Sequence, residues 1–111
     1  MVRCRTVEEG EIAFLTGHAA LVGALDTCVA LIRPVDGDDE LVAVHGGFVE
    51  VSDDHVSILS DVAELSSQID VDRAQEAKER AEQAVRESDD AECEAALRRA
   101  HARIEAAGGV K

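Results

Sequence analysis

The sequence predicts an α+β fold that is mainly β, with an antiparallel β-sandwich or barrel followed by a C-terminal α-helical hairpin. Six of the eight glycines lie before Ser52, in the part of the chain that is also rich in β-branched residues. That composition is typical of short strands joined by tight turns. From residue 70 onward, alanines recur every three or four positions, which is helical spacing. We therefore expect a β domain over residues 1–66 and a two-helix hairpin over 67–111.

Short apolar segments separated by turn residues define the predicted strands, which are residues 2–7, 11–15, 21–25, 27–33, 41–45, 48–51 and 56–59. Asp36-Gly37 predicts a hairpin turn, because this pair supplies the positive φ that tight hairpins need. Gly46-Gly47 predicts a bulge or bend within the sheet. The apolar side chains expected to be buried in the core are Ile12, Phe14, Leu31, Phe48, Val56 and Ile58.

Two helices are predicted from the spacing of apolar residues and from capping residues at the helix ends. The first helix presents one apolar face, made of Ala74, Ala77, Ala81, Ala84 and Val85, and Asp70 is its expected N-cap. The second runs from about residue 91, and its apolar face carries Cys93, Leu97, Ala100 and Ile104. Asp89 and Glu92 have capping-box spacing at its start, and Gly108-Gly109 ends it. Because buried alanines remove little apolar surface, the hairpin is expected to depend on docking to the β domain.

Composition excludes several classes of function. The chain has 111 residues and a formal charge of −13, so a nucleic-acid backbone or an anionic membrane would be repelled. Aromatic residues make up 2%, too few for a stacking platform for single strands. No apolar run approaches the length of a membrane span. The three cysteines fit no zinc spacing and are expected to be small apolar residues in a reducing compartment.

Candidate catalytic and metal-binding residues are sparse. His18 lies in a predicted turn, with only Cys4 and Glu11 nearby in sequence, and no nucleophile stands at a recognised spacing from it. The other histidines form no metal pair on one face, and the acidic cluster at 36–40 reads as a solvated hairpin tip. An enzyme with Cys4 or His18 as its reactive group is therefore the least favoured function.

The arginines of the helical part carry more information. Arg73 and Arg80 share a face of the first helix, and Arg99 and Arg103 share a face of the second. The two pairs could converge on a polyanion such as a nucleotide phosphate. The alternative is a pair of solvated helix faces, with Glu76 as the partner of Arg80. Spacing alone favours this alternative.

Three segments, in order, resemble the epsilon subunit of F-type ATP synthases. They are Gly10–Val22, with its Gly-Glu start and its Gly17-His18-Ala19 turn; Val44–Val51, entered through Gly-Gly-Phe; and Val56–Glu64. A helical hairpin follows them, as it does in the family, and the resemblance covers nearly the whole chain.

The resemblance implies a β-sandwich followed by two helices. It also implies a non-catalytic central-stalk subunit that contacts the gamma subunit, the c-ring and the alpha/beta catalytic head. Such a subunit couples proton translocation to ATP synthesis, and its hairpin can extend to restrain ATP hydrolysis. The implied location is peripheral, on the cytoplasmic face of the cell membrane, without membrane insertion. Glu11 and His18 are expected on turns at the end of the sandwich that faces the c-ring.

The chain departs from the family pattern in two respects. Ala13, Thr16 and Ala20 replace the glycine and prolines that are frequent in that loop segment, so the loop should be less rigid. The chain also starts where the family's third strand would be, which leaves the first strands missing. We expect that Met1 is an internal residue of a longer natural chain, since the alternative is an unpaired sheet edge.

A nucleotide motif found in some epsilon subunits has a complete match here, at Ile69, Asp70, Arg73 and Ala74. The resemblance adds Glu64, Arg80, Arg99 and Arg103 as further contacts. This set predicts a regulatory ATP site that binds without hydrolysis, because the sequence has no glycine-rich phosphate loop and no magnesium carboxylate pair. No other cofactor and no metal are expected. The alternative function is a free-standing β-sandwich adaptor that binds one protein partner and carries a helical tail.

Overall fold

The structure is a computed structural model that describes residues 1–88 and 90–108. Its strands are β1 (Val2–Thr6), β2 (Gly10–Phe14), β3 (Leu21–Ile32), β4 (Glu40–Ser52), β5 (His55–Leu59) and β6 (Ala63–Leu65). A 3-10 turn (Ser66–Gln68) leads into α1 (Val71–Glu87) and α2 (Ala91–Gly108). The antiparallel β-sandwich and the C-terminal helical hairpin predicted from the sequence are confirmed.

The strands are hydrogen-bonded in the order β2-β1-β3-β4-β5, and β6 pairs with the first half of β4. Residues 21–25 and 27–33, predicted as two strands, form the single long strand β3, and the two segments around Gly46-Gly47 form β4. Both glycines have positive φ. Along the edge of β4 that is opposite β3, the paired strand changes here, from β6 before the glycines to β5 after them.

The inward-facing positions of β4 switch parity at the two glycines. Val44 faces the main core before them, whereas Val49 and Val51 face it after them. Phe48 therefore points outward and is 55% exposed, so its predicted burial is wrong. The other predicted core residues are buried or half-buried: Phe14 and Leu31 are buried, and Ile12, Val56 and Ile58 pack against the buried cluster.

The helical hairpin covers the outer face of the first half of β4. Ala43 is fully buried there, against Ala102 and Ala106 of α2. The helix α1 packs on α2 rather than on the sheet, through buried Ala74 and Ala81. The alanine-rich hairpin therefore contacts the sheet mainly through α2.

The ends of the helices follow local hydrogen bonding. The Asp70 side chain accepts a hydrogen bond from the Arg73 amide at 3.2 Å, which confirms it as the N-cap of α1. At the start of α2, the cap is Asp90, whose side chain accepts from the Cys93 amide at 2.9 Å. The predicted capping residue Asp89 lies outside the described residues, as does Gly109 at the far end. Cys4 and Cys28 are buried free thiols, as expected of small apolar residues.

Candidate functional site

A cleft of about 460 Å³ opens where the sheet meets both helices. Strand β6, the 3-10 turn and the first turns of α1 form one side, and α2 contributes the other. Seven of the eight residues predicted to bind nucleotide line it: Glu64, Ile69, Asp70, Arg73, Ala74, Arg80 and Arg103. The fold therefore brings together residues that are as many as 39 positions apart in the chain.

The local structure of α1 explains how its side chains reach the cleft. Asp70 holds the first turn of the helix by capping it. Arg73 lies in that first turn, and Arg80 follows two turns later on the same face. Between them, Ala74 and Ala77 present only methyl groups to the cleft, which leaves open space beside the two guanidinium groups.

Glu64 is the polar centre of the cleft. Its Oε1 accepts a hydrogen bond from His45 Nε2 at 2.8 Å and another from Arg103 Nε at 2.8 Å. Burial alone would raise the pKa of Glu64, but the hydrogen bonds from Arg103 and His45 and the charges of these partners together lower it. The carboxylate is therefore ionised near neutral pH and ties α2 to the sheet.

His45 is the buried member of the cluster that it forms with Glu64 and Arg103. Its side chain is 4% exposed. Because an ionised carboxylate can only accept, His45 donates through Nε2. The opposite ring nitrogen, Nδ1, is buried without a hydrogen-bond partner among the described residues. Among the described residues, Glu64 is therefore the hydrogen-bond partner that orients the ring.

Arg73 and Arg80 remain available for a ligand. Within residues 1–88 and 90–108, neither side chain forms an ion pair, and the pairing of Arg80 with Glu76 suggested by the sequence is not made. Both residues are exposed. Two unpaired guanidinium groups on one side of a cleft are an arrangement suited to a phosphate chain.

Arg99 is the predicted contact that the fold does not bring to the cleft. Its guanidinium pairs with Glu92, two turns earlier on the same face of α2, at 2.9 Å. Gln68 and Ala77 line the cleft without having been predicted, and His45 supports it from β4. Only the pairing of β6 with β4 places His45 beside Glu64, and a three-residue strand leaves no periodic signal in the sequence.

The two predicted interface residues occupy different places. His18 lies in the expected turn, where Gly17 has positive φ, and its ring meets Phe14 edge-on with centroids 4.9 Å apart. Glu11 lies within β2 and not on a turn, and it pairs with Arg3 at 3.2 Å. The expectation that Glu11 lies on a turn is therefore wrong, whereas His18 does lie at one.

Together, the fold and the cleft define a small β-sandwich protein with a docked helical hairpin and an arginine-lined cleft at the junction. Residues 1–66 match the family described as ATP synthase, Delta/Epsilon chain, beta-sandwich domain. Residues 67–108 match ATP synthase, Delta/Epsilon chain, long alpha-helix domain. The chain belongs to the delta/epsilon chain family of ATP synthase.

Curated relatives in this family are ATP synthase epsilon chains. The chain is 46% identical to that of Moorella thermoacetica, over 92% of this chain and 79% of the relative. It is 41% identical to that of Streptomyces coelicolor, over 98% and 82%. Among solved structures, it resembles a chain in the Euglena gracilis mitochondrial ATP synthase, OSCP/F1/c-ring, with a TM-score of 0.80 and 28% identity over 97% of this chain and 69% of that chain.

Two further observations concern metal binding and membrane crossing. No group of three or more histidine, cysteine or acidic side chains within residues 1–88 and 90–108 is arranged to hold a metal ion. In the same part of the chain, neither helix combines the length and apolar character needed to cross a membrane.

Proposed function

We propose that this chain is a central-stalk rotor subunit of an F-type ATP synthase. It couples proton translocation to ATP synthesis and regulates ATP hydrolysis through its helical hairpin. The observation that carries the proposal is the match of both parts of the chain, in order, to the two delta/epsilon domain families. The likeness to a chain in an assembly that contains F1 and a c-ring supports the same role.

In this role the subunit is non-catalytic and acts through contacts. Its partners are the gamma subunit, the c-ring and the alpha/beta catalytic head, and it works as a peripheral subunit on the cytoplasmic face of the cell membrane. The turn that carries His18 is the better candidate for the c-ring contact, because Glu11 lies within β2 and is paired with Arg3.

The cleft at the junction is the regulatory site, and its ligand is ATP. Arg73 and Arg80 take the phosphate oxygens, because guanidinium groups bind such oxygens in bidentate fashion and both are unpaired within the described residues. Asp70 uses one oxygen to cap α1 and keeps the other for the ribose or base. The cleft volume of about 460 Å³ suits a nucleotide-sized ligand.

Arg103 links the ligand to the hairpin. In the compact arrangement it is held by Glu64 at 2.8 Å, beside the space that the phosphates occupy. ATP binding adds phosphate oxygens as a second set of acceptors for the same guanidinium. ATP therefore binds the compact hairpin preferentially and stabilises it, and loss of ATP favours the extended, inhibitory form.

Calorimetric titration of the full chain with ATP tests the site. We expect saturable heat from the unmodified chain and at least about a tenfold loss of affinity when Arg73→Ala and Arg80→Ala are combined. Arg86→Ala is the matched control, since Arg86 is an exposed α1 arginine that hydrogen-bonds Gln83 and lies outside the cleft. Absence of heat up to millimolar ATP, or a double variant that binds ATP as tightly as the unmodified chain, would refute the nucleotide site.

Purification of the native complex tests the rotor role separately. Membranes solubilised in mild detergent should yield this chain together with gamma and beta subunits. Recovery of the chain free of both, under conditions in which gamma and beta stay together, would favour a free-standing adaptor.

A further inference from the structure

A second cleft, of about 310 Å³, lies on the other side of α2, between that helix and strands β1 and β3. It shares no lining residue with the nucleotide cleft. Its rim carries four side chains that are or can become cationic: Arg3, Arg5, Arg98 and His101. We call it the β1–α2 cleft.

Arginines are concentrated in this cleft although the chain as a whole is strongly negative. Residues 1–69 contain only three basic side chains against 13 acidic ones, yet two of the three, Arg3 and Arg5, line this cleft. They are alternate residues of β1 and so share one face. Arg98 and His101 are three residues apart on α2 and so lie on the same side of that helix. Two elements distant in sequence thus present like charges to each other.

The carboxylates in the cleft do not balance all of this charge. Arg3 is paired with Glu11 at 3.2 Å, and Glu105 is the other acidic residue on the rim. Neither Arg5 nor Arg98 forms an ion pair with any of the residues that the structure describes. The three arginines and the two carboxylates leave one net positive charge in the cleft, so an anion in this space would lower the electrostatic energy.

The floor of the cleft is uncharged. It includes Val29, Leu41 and Ala102, which pack between the sheet and α2. An anion seated here meets neutral, mostly apolar surface below and guanidinium groups at the rim.

We propose that the β1–α2 cleft binds a small dianion, with phosphate or carboxylate oxygens, whose charge is taken by Arg5 and Arg98. Two unpaired guanidinium groups match two negative charges, and the apolar floor accommodates a short carbon body. Because Arg5 belongs to the sheet and Arg98 to α2, a bound dianion bridges the two. The site is independent of the nucleotide cleft and fastens the same helix from the opposite side.

Titration of the full chain, followed by ¹⁵N–¹H NMR at pH 8, tests this site with two probes, inorganic phosphate and succinate. We expect saturable shifts at the amides of Thr27, Cys28 and His101, which line or border the cleft. Shifts with phosphate alone would identify a phosphate ligand, and shifts with succinate alone a dicarboxylate. Either result supports the proposal, as does binding of both.

Variants separate this site from other sources of anion binding. Arg5→Ala combined with Arg98→Ala should weaken binding by about tenfold per arginine, since each charged hydrogen-bond partner is lost. The Arg86→Ala control should bind as the unmodified chain does, since Arg86 lines neither cleft. If the first double variant loses its fold, Arg98→Gln, which removes a charge from an exposed position, carries the test. No saturable shift at these amides, or unchanged affinity without Arg5 and Arg98, would overturn the proposal.

Discussion

Replacement of Glu64 by glutamine should loosen the attachment of α2 to the sheet. The carboxylate accepts hydrogen bonds from two donors on different elements, His45 on β4 and Arg103 on α2, each at 2.8 Å. A hydrogen bond to a charged group contributes about 1.5–3 kcal/mol, and glutamine retains one neutral acceptor oxygen. With a Glu64 side chain that is 27% exposed, we expect Glu64→Gln to lower the free energy of unfolding by about 2 kcal/mol.

The effect should depend on pH in a defined direction. The pKa of Glu64 is lower in the folded chain than its ordinary value of 4.5. Its contribution to stability is therefore fully present above that value and is lost as the pH falls through the lower folded pKa. The unmodified chain and the variant should differ most near neutral pH and converge in acid.

Urea unfolding followed by far-ultraviolet circular dichroism measures both effects. A loss of about 2 kcal/mol corresponds to a urea midpoint lower by about 1 M. Glu79→Gln is the control, because Glu79 is exposed on α1 and forms no ion pair within residues 1–88 and 90–108. Equal midpoints for Glu64→Gln and the unmodified chain at pH 7, or a difference that persists in acid, would refute the reasoning.

Three substitutions test the arrangement of β4. Phe14→Ala should cost about 3–5 kcal/mol, since this side chain is 2% exposed, whereas Phe48→Ala should stay within about 1 kcal/mol because Phe48 is 55% exposed. Gly47→Ala should destabilise the fold by at least about 2 kcal/mol, since Gly47 has a φ of +118° and a Cβ there would overlap the carbonyl oxygen of Leu59. Thermal unfolding of each variant gives the comparison, and a cost for Phe48→Ala equal to that of Phe14→Ala would contradict the register of β4.

The helical part could be predicted closely from the sequence because its signals are local. Alanines at helical spacing define the buried face of α1, and Asp70 supplies its cap through a contact three residues away. The failure at Phe48 arises where the signal is not local. Both Phe48 and Val49 are apolar, and only the positive-φ pair Gly46-Gly47 decides which of them faces the core.

In the candidate site, too, local contacts could be predicted from the sequence and long-range contacts could not. A short motif predicts Ile69, Asp70, Arg73 and Ala74 together, because these residues are contiguous or one helical turn apart. The hydrogen bonds that organise the cleft join residues far apart in the sequence. His45 and Glu64 are 19 positions apart, and Glu64 and Arg103 are 39 positions apart. The spacing of Arg99 from Arg103 predicts that both reach the site, but Arg99 pairs instead with Glu92 on its own helix.

The most direct test of the rotor assignment is ATP-driven proton pumping by ATP synthase in membranes stripped of this subunit, measured by fluorescence quenching of an acridine dye. Adding back the purified chain should restore pumping for a given rate of ATP hydrolysis, because the chain couples rotation to proton translocation. Pumping that stays uncoupled from hydrolysis after the chain has rebound would contradict the assignment.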